Sequence, residues 1–175
     1  MNNTEFRTST SIASEINRLV REIENRRSLA SDFYEELREH ASYLKTVTSG
    51  SDSVDEKKRR FKRIGALLEE LKEYYWDLTD LLTELNGIEI LESNLIEHGA
   101  QLSRDLVGIL KQMEPIARNT YKSLHSNELG SVGNELSSVI ENSKFLELNE
   151  VLTKLFIEID QRSSQLKDLK HKRIL

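Results

Sequence analysis

Apolar side chains recur along this chain at alternating steps of three and four, the spacing that aligns one face of an α-helix. From Ser11 the run is Ile12, Ile16, Leu19, Ile23, Arg26, Ala30, Phe33, Leu37, His40, Leu44 and Val47, a heptad seam with two polar interruptions. It predicts a first helix over about 11–47, behind an N-terminal arm of residues 1–10. Residues 48–53, Thr-Ser-Gly-Ser-Asp-Ser, read as a loop, and Ser53 followed by Glu56 reads as the capping box of the next helix.

The second helix, 54–86, carries Phe61, Ile64, Leu68, Leu71, Tyr75, Leu78, Leu82 and Leu85 in unbroken steps. Asn86 and Gly87 both tolerate a left-handed backbone and form a natural stop. A third segment over 88–124 shows Leu91, Leu95, Leu102, Leu106, Ile109 and Met113. It should kink near Pro115, which brings no N–H donor. Residues 129–133, Leu-Gly-Ser-Val-Gly, read as a loop. The last helix, 134–172, displays Leu148, Leu152, Leu155, Ile159, Arg162, Leu166 and Leu169 in heptad steps.

Four helices of similar length with short connections predict an all-α fold, an antiparallel up-down-up-down four-helix bundle forming one domain over 11–175. Folding the first two helices against each other sets Leu37 opposite Ile64, Ile23 opposite Leu78 and Leu44 opposite Lys57. A second stripe of Leu67, Tyr74 and Leu81, with Phe156 beside Leu155, is wider than a two-stranded coil could cover and suits a four-helix core. The alternative is a rod in which helices two and three run on through Asn86 and Gly87. Such a rod would need an elongated coiled-coil dimer to bury it.

Composition agrees with long helices. Hydrophobic residues are 37 % and charged residues 31 % of the 175, with only seven Gly and one Pro available for turns. Cysteine is absent, so disulfides and thiolate metal sites are excluded. No apolar run approaches the roughly 20 residues of a membrane span. With no apolar N-terminal stretch of secretory type, elimination leaves a cytoplasmic or nuclear setting.

Catalytic constellations find little purchase. The histidines, His40, His98, His125 and His171, are scattered, and a di-metal bundle would want a Glu-x-x-His step on each of two helices. Only Asp168 and His171 have that spacing, alone in a basic tail. His40, on the seam, reads as a buried histidine bonded within the hairpin. Gly130 and Gly133 lack the longer spacing and the Lys-Ser/Thr pair of a nucleotide loop. We therefore expect no catalytic, cofactor-binding or metal-binding residue and no small-molecule substrate.

Two features could carry function. Lys57, Lys58, Arg59, Arg60, Lys62 and Arg63 pack six cations near a helix start, where they oppose the helix dipole. With Lys170, Lys172 and Arg173 of the tail they form a candidate surface for an anion, either nucleic acid or acidic membrane. They could equally neutralise carboxylates across helices, Glu39 lying opposite Lys62 with Glu35 and Glu36 a turn away. Tyr74, Tyr75 and Trp76 span about 200° of helix. Tyr75 fills the seam, leaving Tyr74 and Trp76 to pack on later helices or to anchor a protein partner. The expected function is a non-catalytic protein-interaction module, an adaptor, assembly subunit or regulator acting through a helix face or through self-association. Binding of an anionic surface is the alternative.

Overall fold

The computed structural model describes the backbone of residues 9–46, 54–88, 93–122 and 129–174, and the side chains of 11–46, 55–88, 93–118 and 131–164. The described residues are almost all helical, and there is no strand among them. Five helices follow one another: α1 (Ser9–Thr46), α2 (Val54–Asn86), α3 (Asn94–Lys122), α4 (Leu129–Ile140) and α5 (Lys144–Ile174). The capping box expected at Ser53 lies outside the described residues.

The heptad positions supply the core. Leu19, Ile23, Leu37 and Leu44 of α1 are fully buried, as are Ile64, Leu68, Leu71, Leu78, Leu82 and Leu85 of α2. Leu106, Leu110 and Met113 from α3 and Leu136, Leu152 and Leu155 from α4 and α5 complete one continuous cluster. The second stripe is also used: Leu67 is buried, while Tyr74, Leu81 and Phe156 pack half-buried against the core. Buried hydroxyls are satisfied within their own helices. Thr79 Oγ1 donates to the Tyr75 carbonyl at 2.8 Å, and Ser103 Oγ to the Gly99 carbonyl at 3.0 Å.

Neighbouring helices are tied by ion pairs whose residue numbers rise along one helix as they fall along the other. Arg18 meets Glu84 at 3.0 Å, Arg26 meets Asp77 at 3.0 Å, and Arg63 meets Glu36 at 2.5 Å. Between α2 and α3 Lys72 pairs with Glu114, and between α3 and α5 Lys144 pairs with Asp105 at 3.1 Å. Near one level α2, α3 and α5 converge on Gly99, where an added Cβ would stand 3.3 Å from Leu82 Cδ1 and 3.6 Å from Val151 Cγ1.

Three boundaries differ from expectation. The third helix begins at Asn94 rather than 88, because Ser93 caps it: its Oγ accepts from Leu95 N at 3.2 Å. Helices two and three are thus separate, and the continuous-rod alternative is not adopted. Asn86–Gly87 does end α2, yet Gly87 does so without a left-handed backbone, donating back to Thr83 and Glu84 carbonyls at 3.2 Å. The predicted single helix 134–172 is two. The first starts at Leu129, so the expected 129–133 loop is helical, and it closes where Glu141 N donates to Ser137 O at 2.9 Å. Asn142 then caps α5, its Oδ1 accepting from Lys144 N at 3.0 Å. Pro115 lies inside α3, which continues past it to Lys122.

The break at 141–143 is held by α1. Tyr34 OH donates to the Ile140 carbonyl at 2.9 Å, one of the orphan carbonyls at a helix C-terminus. Its ring packs on Phe145 at 4.8 Å, and Phe145 in turn tilts against Tyr75 at 6.1 Å. Farther along α4, Gly133 lies so close to α1 that an added Cβ would stand 2.5 Å from Lys45 N and 2.7 Å from Leu44 C.

Candidate functional site

The pairing of Glu36 with Arg63 brings the start of α2 alongside the last turns of α1. Glu36, His40, Arg59, Arg60 and Arg63 line a cleft of about 340 Å³ there. The sites are three or four residues apart on each helix, so the seam that builds the core also aligns the polar flank.

The arginines are not loose. Arg63 forks onto Glu36, with Nε–Oε1 at 2.5 Å and Nη2–Oε2 at 2.8 Å. Arg59 forks onto Glu56 at 3.1 and 2.7 Å, and Arg60 Nε shares that carboxylate at 3.2 Å. The Arg60 guanidinium also stacks over the Tyr43 ring, 4.0 Å from its centroid, and Arg63 lies over Phe33 at 5.8 Å. His40 Nδ1 is 3.4 Å from Arg60 Nη1, and its Nε2 is 3.6 Å from Glu36 Oε1.

Charge at the site follows from these contacts. The hydrogen bond from Arg63 holds Glu36 below the ordinary carboxylate range. Arg59 does the same for Glu56. Burial lowers the His40 pKa, and the cations Arg60 and Arg63 lower it further against the opposing pull of Glu36. His40 thus faces Arg60 and Arg63, which disfavour its charged form, and Glu36, which favours it.

The six basic positions fare differently. Arg59, Arg60 and Arg63 meet carboxylates, while Lys58 and Lys62 stand exposed with no ion-pair partner among the described residues. Lys57 has its stem in the core and is only 4 % exposed. The Lys62–Glu39 apposition is not formed; Glu36, about one turn earlier on α1, pairs with Arg63, one residue later on α2. The side chains of Lys170, Lys172 and Arg173 lie outside the described residues. Glu36 was expected within a turn of the basic run and His40 to be bonded within the hairpin; the contacts of Arg60 with the Tyr43 ring and of Arg59 and Arg60 with Glu56 were not foreseen.

Tyr74 stacks on Phe33 of α1 with centroids 5.5 Å apart, rather than on a later helix. Trp76 turns outward, 45 % exposed, with Lys111 of α3 over its ring at 5.9 Å. Two further large apolar side chains stand in solvent on α5: Leu146 at 64 % and Ile157 at 54 %. Eleven residues apart, they lie about three helical turns apart on one face. A smaller notch of about 140 Å³ separates α1 from α4, lined by Arg38, Ser42, Lys45, Ser137 and Glu141 among others. No helix among the described residues is long and apolar enough to cross a membrane. Among them no three His, Asp or Glu side chains gather as a metal site. No protein-family model, no curated protein and no solved structure matches this chain.

Proposed function

We propose that this chain is a non-catalytic interaction module, an adaptor, assembly subunit or regulator, built on an antiparallel up-down-up-down bundle. The ion pairs Arg18–Glu84, Arg26–Asp77 and Glu36–Arg63 support that topology for the first two helices, the residue numbers rising along α1 as they fall along α2. The observation that carries the functional reading is the outward placement of Trp76, Leu146 and Ile157. The core accepts many other leucines and isoleucines of this chain, so apolar side chains left in solvent on ordered helices are groups a partner can cover.

The test is affinity capture from native lysate, comparing wild type with Leu146→Glu/Ile157→Glu, alongside sedimentation velocity of both. A protein or a self-associated species recovered with wild type and lost with the variant, helicity unchanged, is the expected result. An identical set of captured proteins and identical sedimentation would refute it. The second reading, an anionic-surface binder, draws on Lys58 and Lys62, which have no carboxylate partner among the described residues. It requires salt-sensitive binding to nucleic acid or acidic vesicles at about 50–100 mM salt.

A further inference from the structure

The cleft at the α1–α2 end holds cations that its own carboxylates do not exhaust. Each guanidinium offers five N–H donors in a planar fork. Arg59 and Arg63 each use Nε and Nη2, and Arg60 uses Nε and, toward the imidazole, Nη1. Arg59 Nη1, Arg60 Nη2 and Arg63 Nη1 donate to no acceptor among the described residues. Glu36 holds Arg63, and Glu56 with the Tyr43 ring holds Arg60, while Arg59 is paired to Glu56 on the exposed rim. At about 30 Å³ per water, the 340 Å³ cleft has room for on the order of ten waters, more than an oxyanion needs.

We propose that this cleft binds a phosphate monoester carried on a protein partner, with Arg59, Arg60 and Arg63 as its donors and His40 as its floor. The proposal rests on the interaction-module reading and names the chemistry by which one partner would be recognised. A phosphate offers three oxygens and nearly two negative charges, matching three free donors. A carboxylate offers two oxygens, which Glu36 and Glu56 already supply. A polymer of phosphates fits poorly, because exposed Glu69, Glu70 and Glu73 follow on α2 and exposed Glu35 and Glu39 flank the cleft on α1. The positive field is a spot rather than a track, and the net charge of -5 opposes an extended anionic surface.

His40 is the reporter. It faces Glu36 from its own helix and Arg60 and Arg63 from α2, and an added anion favours its protonated form. The experiment follows the His40 imidazole by NMR through a pH titration of the full chain, in inorganic phosphate and in chloride at equal ionic strength. Phosphate should raise the His40 pKa by about one unit. Arg59→Gln and Arg60→Gln should abolish that rise while far-UV dichroism stays unchanged, and the remote Lys154→Gln should keep it. Identical His40 titrations in the two salts overturn the site.

A second arm settles the source. A phosphoserine peptide should displace inorganic phosphate at least tenfold better than its unphosphorylated form. Equal displacement by both peptides overturns the assignment, as does tighter binding of RNA or phosphoinositide vesicles at matched phosphate concentration. Neither arm uses a lysate. An unmoved His40 with partner capture intact sinks the cleft alone, and a moved His40 with no captured partner sinks the interaction reading alone.

Discussion

Gly133 offers a perturbation whose sign depends wholly on how closely α4 rides on α1. In an open helix, replacing Gly by Ala stabilises by up to about 1 kcal/mol, since Ala has less backbone entropy to lose. At Gly133 the new methyl would stand 2.5 Å from Lys45 N, 2.7 Å from Leu44 C and 3.0 Å from Leu44 Cβ. Carbon atoms in contact prefer about 3.5–4.0 Å, so α4 must retreat by about 1 Å. Two of the three atoms are backbone of α1, which cannot step aside as a flexible side chain would. Overpacking of this kind costs about 1–3 kcal/mol. Less the helix-propensity gain, Gly133→Ala should be destabilised by about 1–2 kcal/mol, or a fall of about 2–8 °C in Tm at this chain length. Gly108 is the control, since nothing lies within 4 Å of its Cβ position. Gly108→Ala should gain up to about 1 kcal/mol by the same propensity argument. Urea and thermal unfolding by far-UV dichroism measure both. A Gly133→Ala protein as stable as Gly108→Ala would refute the close approach of the two helices.

Leu78, fully buried, should cost about 2–5 kcal/mol when cut to Ala in urea unfolding, and a loss below about 1 kcal/mol would place it outside the core. The pH dependence has a worked sign. His40 is lowered in the folded chain, so below about pH 6.5 the unfolded chain binds its proton first and stability begins to fall. Glu36, Glu56, Asp105 and Glu114 are also held low, so their contribution is complete at neutral pH. That contribution fades as pH drops below about 4 through their folded values. Urea midpoints that rise between pH 7 and 5, or a first step unchanged in His40→Gln, would contradict this.

The three-and-four spacing made α1 and α2 legible to within a few residues, because each seam position has one face to serve. Their pairing was legible in part: the expected hairpin put Glu36 within about a turn of Lys62, and Glu36 meets the adjacent Arg63. The break at 141–143 was not, since Asn142 and Ser143 are tolerated in a helix interior and the apolar steps resume beyond them. What selects the cap there is Tyr34, a side chain from 106 residues earlier. The cleft was half legible. Six adjacent cations announce a basic patch, but choosing between Glu36 and Glu39 as partner depends on small helix rotations that spacing leaves free.

The contact between α1 and α4 also bears on the order in which the chain folds. The pairs α1–α2, α2–α3 and α3–α4 join neighbours in sequence and close over short loops, so their entropy of closure is small. Tyr34 to Ile140 and Leu44 to Gly133 join α1 to α4 across about 90–106 residues of sequence, and can form only once the intervening helices have shortened the path. Local contacts of this kind favour fast folding, with the closing contact left to the downhill side of the barrier. Substitutions at Gly133 or Tyr34 should therefore steepen loss on the unfolding arm of a chevron and leave the refolding arm nearly in place. The seam between α1 and α4 would then govern how long the native chain persists, while the α1–α2 hairpin governs how quickly it is reached.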